Sequence, residues 1–520
     1  MKKAILFLGF ILISVFSIGQ TSSSLSTLKG SEVKTGIRLQ YLSMDMPVGQ
    51  ISFPLESKMG MTSLDYLISI NDWLYTGIGM KAAAFGDQGG LFTLGVDLGI
   101  NKKLYKNLFF DANVYFGGGG GFRSLVNGGA ILQPNIGLQY KTKHVSFGAQ
   151  YSHVNFFTGI MKSDAISFFI EIPSFLRVAH YSDAGNRFVK ESLPVDSFWE
   201  RPAIKNVTQV RFNFLHPIGN SREDLNTNNA LLRRTLYVIG FEYQRYLGTN
   251  FFLYVHTDTV YKGLTAGFMD LFFGAGYNFV DTKFMNLFCK FGLGSAGGRI
   301  KQEGGFSMFP SAGIDFKLNK NLALSLSGGY LRYLDGGFEA YSSGLGIKYI
   351  GLTGGSKEPV ANNDIKELET QGFRIGIENQ TFFQVNRVDS APVDLQLIAL
   401  KPAYNIGKNV YIFGEASFAY KGKAGGYAHG GLGIGIKSNP TLNRKVSAYI
   451  EVLGGAAGGG GVDTAEGLVV RPAIGLNYHS SDALVFNVSV GQLLSLDGGV
   501  SSNNINVGFS YGLSFLNAKK

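Results

Sequence analysis

Between Asn503 and Phe515 large apolar residues alternate with small or polar ones. Ile505, Val507, Phe509, Tyr511, Leu513 and Phe515 interleave with Asn506, Gly508, Ser510, Gly512 and Ser514. A period of two places the first set on one face of a β-strand and the second on the other. The same pattern, bounded by turn signals, predicts strands near Phe373–Phe383, Leu395–Tyr404, Val410–Tyr420, Gly431–Lys437, Lys445–Leu453, Leu468–Tyr478, Leu484–Leu493 and Ile505–Phe515. That is an even, closable set of eight. Lys34–Leu176 and Val207–Leu352 divide in the same way, and many of these runs reach the roughly 9–11 residues with which a tilted strand crosses a bilayer.

A motif ties the three stretches together. Gly129, Pro134, Gly137, Leu138 and Tyr140 recur at identical spacing as Gly305, Pro310, Gly313, Ile314, Phe316 and as Gly467, Pro472, Gly475, Leu476, Tyr478. Each copy follows a strand that runs into glycines, over 112–121, 290–298 and 451–461. At roughly 145–165 residues the repeating unit is far longer than solenoid or propeller repeats, so it reads as a domain-sized duplication. The expected organisation is a barrel unit over 34–178, a spacer over 179–206, a second unit over 207–353, a spacer over 354–372 with a short helix at Asn363–Thr370, and a third unit over 373–516. Because Pro cannot donate to a ladder, Pro134, Pro310 and Pro472 are expected to mark bulges. The glycine tracts are expected to be flexible or tightly bent chain.

Residues 1–19 have the form of a cleaved export signal, with Lys2 and Lys3 before the apolar run Ala4–Ile13 and small Ser17 and Gly19 before Gln20. No later apolar run approaches the ~20 residues of a transmembrane helix, so membrane residence would have to come from strands. Composition fits this reading: 71 Gly, 42 Phe and 25 Tyr accompany only 16% charged residues, and mean hydropathy is +0.10. The net charge of +10 is spread along the chain. No basic cluster interleaves with aromatics, so nucleic acid is not an expected partner. The single Cys289 leaves no intrachain disulfide to form.

With a near-terminal aromatic strand ending at Phe515, these features make the chain resemble the outer-membrane β-barrel proteins of Gram-negative bacteria, in particular the small eight-stranded OmpA/OmpX-like class. The resemblance covers nearly all of the chain after the export signal and is one of pattern. It implies an all-β, antiparallel transmembrane fold in the outer membrane, with outer-membrane lipids as surroundings, and it implies no particular task. The family places an aromatic at the very last position, whereas Leu516–Lys520 follow here.

Two closures are open to such a chain: three narrow barrels of about eight strands, which the spacers favour, or one wide barrel of about 24. An eight-stranded lumen is filled by side chains, while 16 or more strands leave a channel or hold a plug. The expected inward set is small, as at Gly344, Gly346, Gly508, Ser510, Gly512 and Ser514, with charges at Asp315, Lys317, Lys348, Glu415, Glu451 and Arg471.

Candidate chemistry is sparse. None of His144, His153, His180, His216, His256, His429 and His479 has a second ligand at the sequence spacing of a compact metal site. His256 and Asp258 share a strand face, and a lumen hydrogen bond is the expected role. Tyr151–Asn155 is faintly similar to the histidine-bearing strand of lipid A deacylase barrels, but the serine expected after that histidine is absent, and the segment reads as the approach to a turn. Gly431, Gly433 and Gly435 are alternate strand positions rather than a nucleotide loop. No catalytic, cofactor or metal residue is assigned and no cofactor is expected. The expected function is non-enzymatic, either a solute pore or a membrane-embedded scaffold for other envelope proteins. The alternatives are a lipid-modifying outer-membrane enzyme and a secreted all-β surface or adhesion protein.

Overall fold

The computed structural model describes residues 28–50, 56–190, 193–194, 197–223, 230–265, 267–300, 304–334, 336–357, 367–388 and 390–519. The export signal expected over 1–19 lies outside them. The described chain is all-β: one four-residue helix, α1 (Arg123–Val126), and two 3-10 turns interrupt 25 strands. Among the described residues, no helix is long and apolar enough to cross a membrane.

Strand pairing closes three rings. The first comprises β1 (Gly30–Asp45), β2 (Lys58–Ser69), β3 (Leu74–Phe85), β4 (Phe92–Tyr105), β5 (Leu108–Gly120), β6 (Ile131–Lys141), β7 (Ser146–Phe156) and β8 (Lys162–Ala179). Neighbours pair antiparallel, and β8 returns to β1 from Gly30↔Ala179 to Leu42↔Ser167. After the three-residue β9 (Arg187–Val189), the second ring runs through β10 (Ile204–Pro217), β11 (Leu236–Tyr246), β12 (Phe251–Lys262), β13 (Phe268–Asp281), β14 (Met285–Gly298), β15 (Phe306–Lys317), β16 (Leu322–Tyr333) and β17 (Glu339–Thr353). It closes where β17 meets β10. The third ring runs through β18 (Glu367–Val385), β19 (Val393–Asn405), β20 (Val410–Lys421), β21 (Ala428–Lys437), β22 (Val446–Gly458), β23 (Leu468–His479), β24 (Leu484–Ser495) and β25 (Ser501–Lys519), with β25 against β18. Among the described residues, the rings share only the single strand pairs Ser514↔Ala179 and Thr353↔Asn517, and no ring of about 24 strands forms.

Alternation explains each wall. On β25, Val507, Phe509 and Tyr511 are 45–53% exposed on the outside, while Asn504, Asn506 and Ser514 are buried inside. The same outward apolar surface appears at Ile166, Phe168 and Ile170 on β8 and at Leu345 and Ile347 on β17.

The spacer regions differ from expectation. Within 363–370, the described Glu367–Thr370 is strand, not helix, because Leu368 and Thr370 alternate inward and Leu368 pairs with both Ala518 and Phe188. The remainder of that stretch lies outside the described residues. The described part of 179–206 is not a solvated tether either: Trp199 is 1% exposed, packed with Leu28 just before the first ring, Ala179 of that ring, Leu352 of the second, and Leu368 and Leu516 of the third. Backbone bonds from Gly354 N to Leu516 O and from Ser356 N to Trp199 O, both 2.8 Å, fasten this junction. Gly30 admits it, since a Cβ there would lie 2.3 Å from the Trp199 ring.

Rings meet again at the opposite end, through the glycine tracts. Gly117–Gly120 are the last residues of β5 and not loose chain. A Cβ on Gly118 would lie 2.9 Å from Ala419 O of the third ring, and Gly425 N and Gly426 N donate across to Asn127 O and Gly119 O at 2.7 and 3.2 Å. Bare backbone lets two curved walls approach within hydrogen-bonding distance. Beside it, Phe92 and Leu94 of the first ring, Met269 and Leu271 of the second and Phe418 of the third form one apolar contact.

The repeated prolines do not make bulges. Register is unchanged across Pro134, from Leu132↔Asn155 to Asn135↔Ser152, across Pro310, from Met308↔Arg332 to Ser311↔Gly329, and across Pro472, from Val470↔Leu494 to Ala473↔Gly491. Two pairs are simply missing each time, because the proline has no N–H to give, while its other side stays paired, as in Val452↔Pro472.

Candidate functional site

An eight-stranded ring turns about half of each strand inward, into a space barely wider than its side chains. In all three rings that space is filled in layers. Midway along the first lumen, Arg38 from β1 reaches Asp111 on β5 with two bonds of 3.1 and 3.2 Å and Glu171 on β8 at 2.8 Å. Gln150 donates to Asp111 at 2.7 Å and receives a bond from Gln40. Nearby, Lys81 lies 4.2 Å over the Tyr115 ring. In the second lumen Arg211 holds Glu242 and both oxygens of Asp258, Lys290 holds Glu242 at 2.7 and 2.9 Å, and Lys348 holds Asp315 at 2.9 Å. In the third, Lys401 bonds Glu451 at 2.5 Å and Glu378 at 3.4 Å, while Arg471 bonds Glu415 at 2.5 Å. These charges are buried, so each depends on its partners: an unpaired ion here would cost several kcal/mol.

Toward the end that carries the longer connections, each lumen is sealed by an apolar layer. Met44, Met59, Leu125, Val126 and Phe156 belong to it in the first ring, where α1 supplies the inward Leu125 and Val126. Phe268, Ile300, Leu331 and Phe338 serve the second and Phe382, Tyr427, Val462 and Leu493 the third. Between Gln244, Asn286, Asp315 and Lys348 in the second lumen remains a cavity of about 10 Å³, room for no more than about one water.

The inward charges read from the sequence mostly take their places: Asp315, Lys348, Glu415, Glu451 and Arg471 are buried, and Lys317 is half-buried against Asp281. Their partners were not readable, because Arg38–Asp111 or Lys401–Glu451 meet only once the ring has closed.

The histidines separate by location. His144 and His180 are exposed. His216 contacts Thr235 and Ser343, and His479 contacts Ser447 at 2.9 Å. His153 sits on the outer wall with Nδ1 2.6 Å from Asp164, and among the described residues no hydroxyl hydrogen-bonds it. It lies across the ladder gap from Pro134, as Tyr330 lies across from Pro310 and Gln492 from Pro472. His429 bonds Glu415 at 3.1 Å inside the third ring. His256 does not hydrogen-bond Asp258: it stands in the second lumen beside Glu242 and Asp270. At the end of the third ring nearest the spacer, Arg374 of β18 stacks 3.8 Å from the Tyr181 ring. Burial pushes that phenol up, but Arg374 and Lys437 outweigh it and leave it below its ordinary range.

No protein family matches the chain, and no curated protein matches it. Among solved structures, a de novo designed transmembrane β-barrel aligns at 16% identity over 29% of this chain and 98% of its own, with a TM-score of 0.20. The Yersinia pestis outer membrane protein Ail aligns at 14% identity over 28% of this chain and 99% of its own, TM-score 0.19. OccAB3 of Acinetobacter baumannii aligns at 8% identity over 93% of this chain and 99% of its own, TM-score 0.23. Such scores lie far below those of a shared overall arrangement, so the fold rests on the strand pairing itself.

Proposed function

We propose that the chain is a non-enzymatic integral outer-membrane protein whose three rings are tandem copies of one eight-stranded barrel, and that it serves as a closed scaffold rather than as a solute pore. The observation that carries this reading is the double seal in every lumen, an apolar layer above a paired charge network. A water-filled channel needs a wider ring or an unobstructed lumen. Membrane residence is supported by the apolar outer walls, such as Val507, Phe509 and Tyr511, which would leave a soluble protein with an exposed patch far beyond a few hundred Å². Its surroundings on this reading are outer-membrane lipids, and what it holds in place are other envelope proteins.

Planar-bilayer recording tests the choice. The protein, extracted with detergent and showing heat-modifiable mobility on gels, is expected to insert without conductance steps. A reproducible large step would replace the scaffold by a pore, and recovery in the aqueous fraction without detergent would remove the membrane altogether.

A further inference from the structure

The second lumen contains a histidine without a hydrogen-bond partner among the described residues. His256 is 2% exposed and neither ring nitrogen makes a hydrogen bond, although each faces a carboxylate: Nδ1 is 3.7 Å from Glu242 Oε2 and Nε2 is 3.8 Å from Asp270 Oδ1. Leaving both nitrogens unmet in a dry interior costs free energy. The ring is held where it is by aromatics, with Phe272 and Phe309 centred 5.1 and 5.6 Å away and Tyr254 stacked at 5.8 Å.

The third lumen shows what a simple hydrogen bond looks like in this setting. There, His429 Nε2 is 3.1 Å from Glu415. The separations at His256 are longer than that, but they are close to the roughly 3.4 Å between ligand atoms that share a tetrahedral ion through bonds of 2.0–2.2 Å. Ligand atoms of His256, Asp258 and Asp270 all lie within 4.8 Å of one another. Charge points the same way. Arg211 and Lys290 face Glu242, Asp258 and Asp270, leaving one carboxylate without a cation.

We propose that the second ring holds one divalent first-row metal ion, zinc in the first place, between His256 Nε2, Asp270 and Asp258. An imidazole with two carboxylates is a donor set that zinc accepts, whereas magnesium asks for an octahedron of oxygens and keeps its waters. The two acids are already oriented for it. Asp270 Oδ1 accepts the Asp258 backbone N–H at 2.7 Å, and Asp258 is steadied by Arg211 and by Asn213 at 2.7 Å. Those bonds use three of the roughly four lone-pair sites of the Asp258 carboxylate, leaving one toward the ion. The site is structural: it lies below the apolar seal of Phe268 and Phe338, so the ion enters as the ring closes. This assignment is independent of whether the protein scaffolds or conducts.

The test is the metal content of the full chain, refolded in detergent with zinc as the only added metal and then desalted. One equivalent of zinc per chain is expected. H256A and D270N should each lose it, whereas H429A, which alters the third lumen, should keep it. Heat-modifiable mobility reports that each variant has folded, and D270N, nearly isosteric, is the variant to read should H256A fail to close. Asn213→Ala, which removes only a steadying bond, is expected to weaken zinc about 10–100-fold. Wild-type protein folded without stoichiometric zinc, or the same zinc content in folded H256A or D270N, overturns the proposal. So does a nitrogen spectrum showing His256 protonated on both nitrogens in zinc-loaded protein.

Discussion

The first and third lumens reach the same closed state from opposite starting points. In the first ring the opening strand, β1, supplies the cation, Arg38, and the acids come from β5 and β8 as Asp111 and Glu171. In the third ring the opening strand, β18, supplies the acid, Glu378, and the cations come from β19 and β23 as Lys401 and Arg471. Position by position the charges are not kept. What is kept is that these central cations touch carboxylates and that little space is left over. Neutrality and filled volume are properties of the lumen as a whole, so two rings of equal strand number can carry opposite signs at corresponding places on the wall, provided each set balances within its own lumen.

Truncating the central cation should therefore hurt both rings alike. Arg38→Ala and Lys401→Ala are each expected to cost about 3–5 kcal/mol, the usual consequence of stranding a buried partner. Urea unfolding in detergent, followed by heat-modifiable mobility, measures it. A cost in one ring several times that in the other would break the equivalence. Less severe is Gly118→Val, which drives a side chain against Ala419 O and so loads the contact between these same two rings. Overpacking of this kind costs typically about 1–3 kcal/mol. Two unfolding transitions where the wild type shows one would mean that the lumens are coupled through this contact, and an unaltered profile would mean that they stand alone. The smallest effect is expected from Pro472→Val. It restores a ladder donor worth about 0.5–1.5 kcal/mol and gives back about 0.4–1 kcal/mol through a looser unfolded chain. The net change should stay below about 1 kcal/mol, and a larger loss would give the proline gap a task beyond tolerating a missing N–H.

Much of each ring was legible in the sequence because lipid-facing and lumen-facing positions alternate without interruption. The strand expected over Val410–Tyr420 is observed as Val410–Lys421, and Leu468–Tyr478 as Leu468–His479. The failures have a common physical origin in contacts that no local period encodes. Glu367–Thr370 looked helical because Glu and Leu favour helices, and it became strand because β25 and β9 offered it partners on both edges. Trp199 reads as part of a polar spacer because Asp196, Ser197, Glu200 and Arg201 lie close to it in sequence, while its neighbours in space come from three rings. The glycine tracts gave no sign of which wall they would touch. In the second lumen His256 and Asp258 were visible as a pair, but Asp270 and Glu242 join them only across β13 and β11, and nothing in their spacing announced it.

The last stretch of β25 behaves as a clasp. Ser514 pairs with the end of β8, Asn517 with the end of β17, and Leu516 is buried against Trp199. The closing strand of the third ring thus also touches the closing strands of the other two, and one short stretch ties three cylinders at their base. A chain clipped before Ser514 would keep most of its wall but lose this tie, leaving the cylinders joined through Trp199 and, at the opposite end, through the glycine tracts.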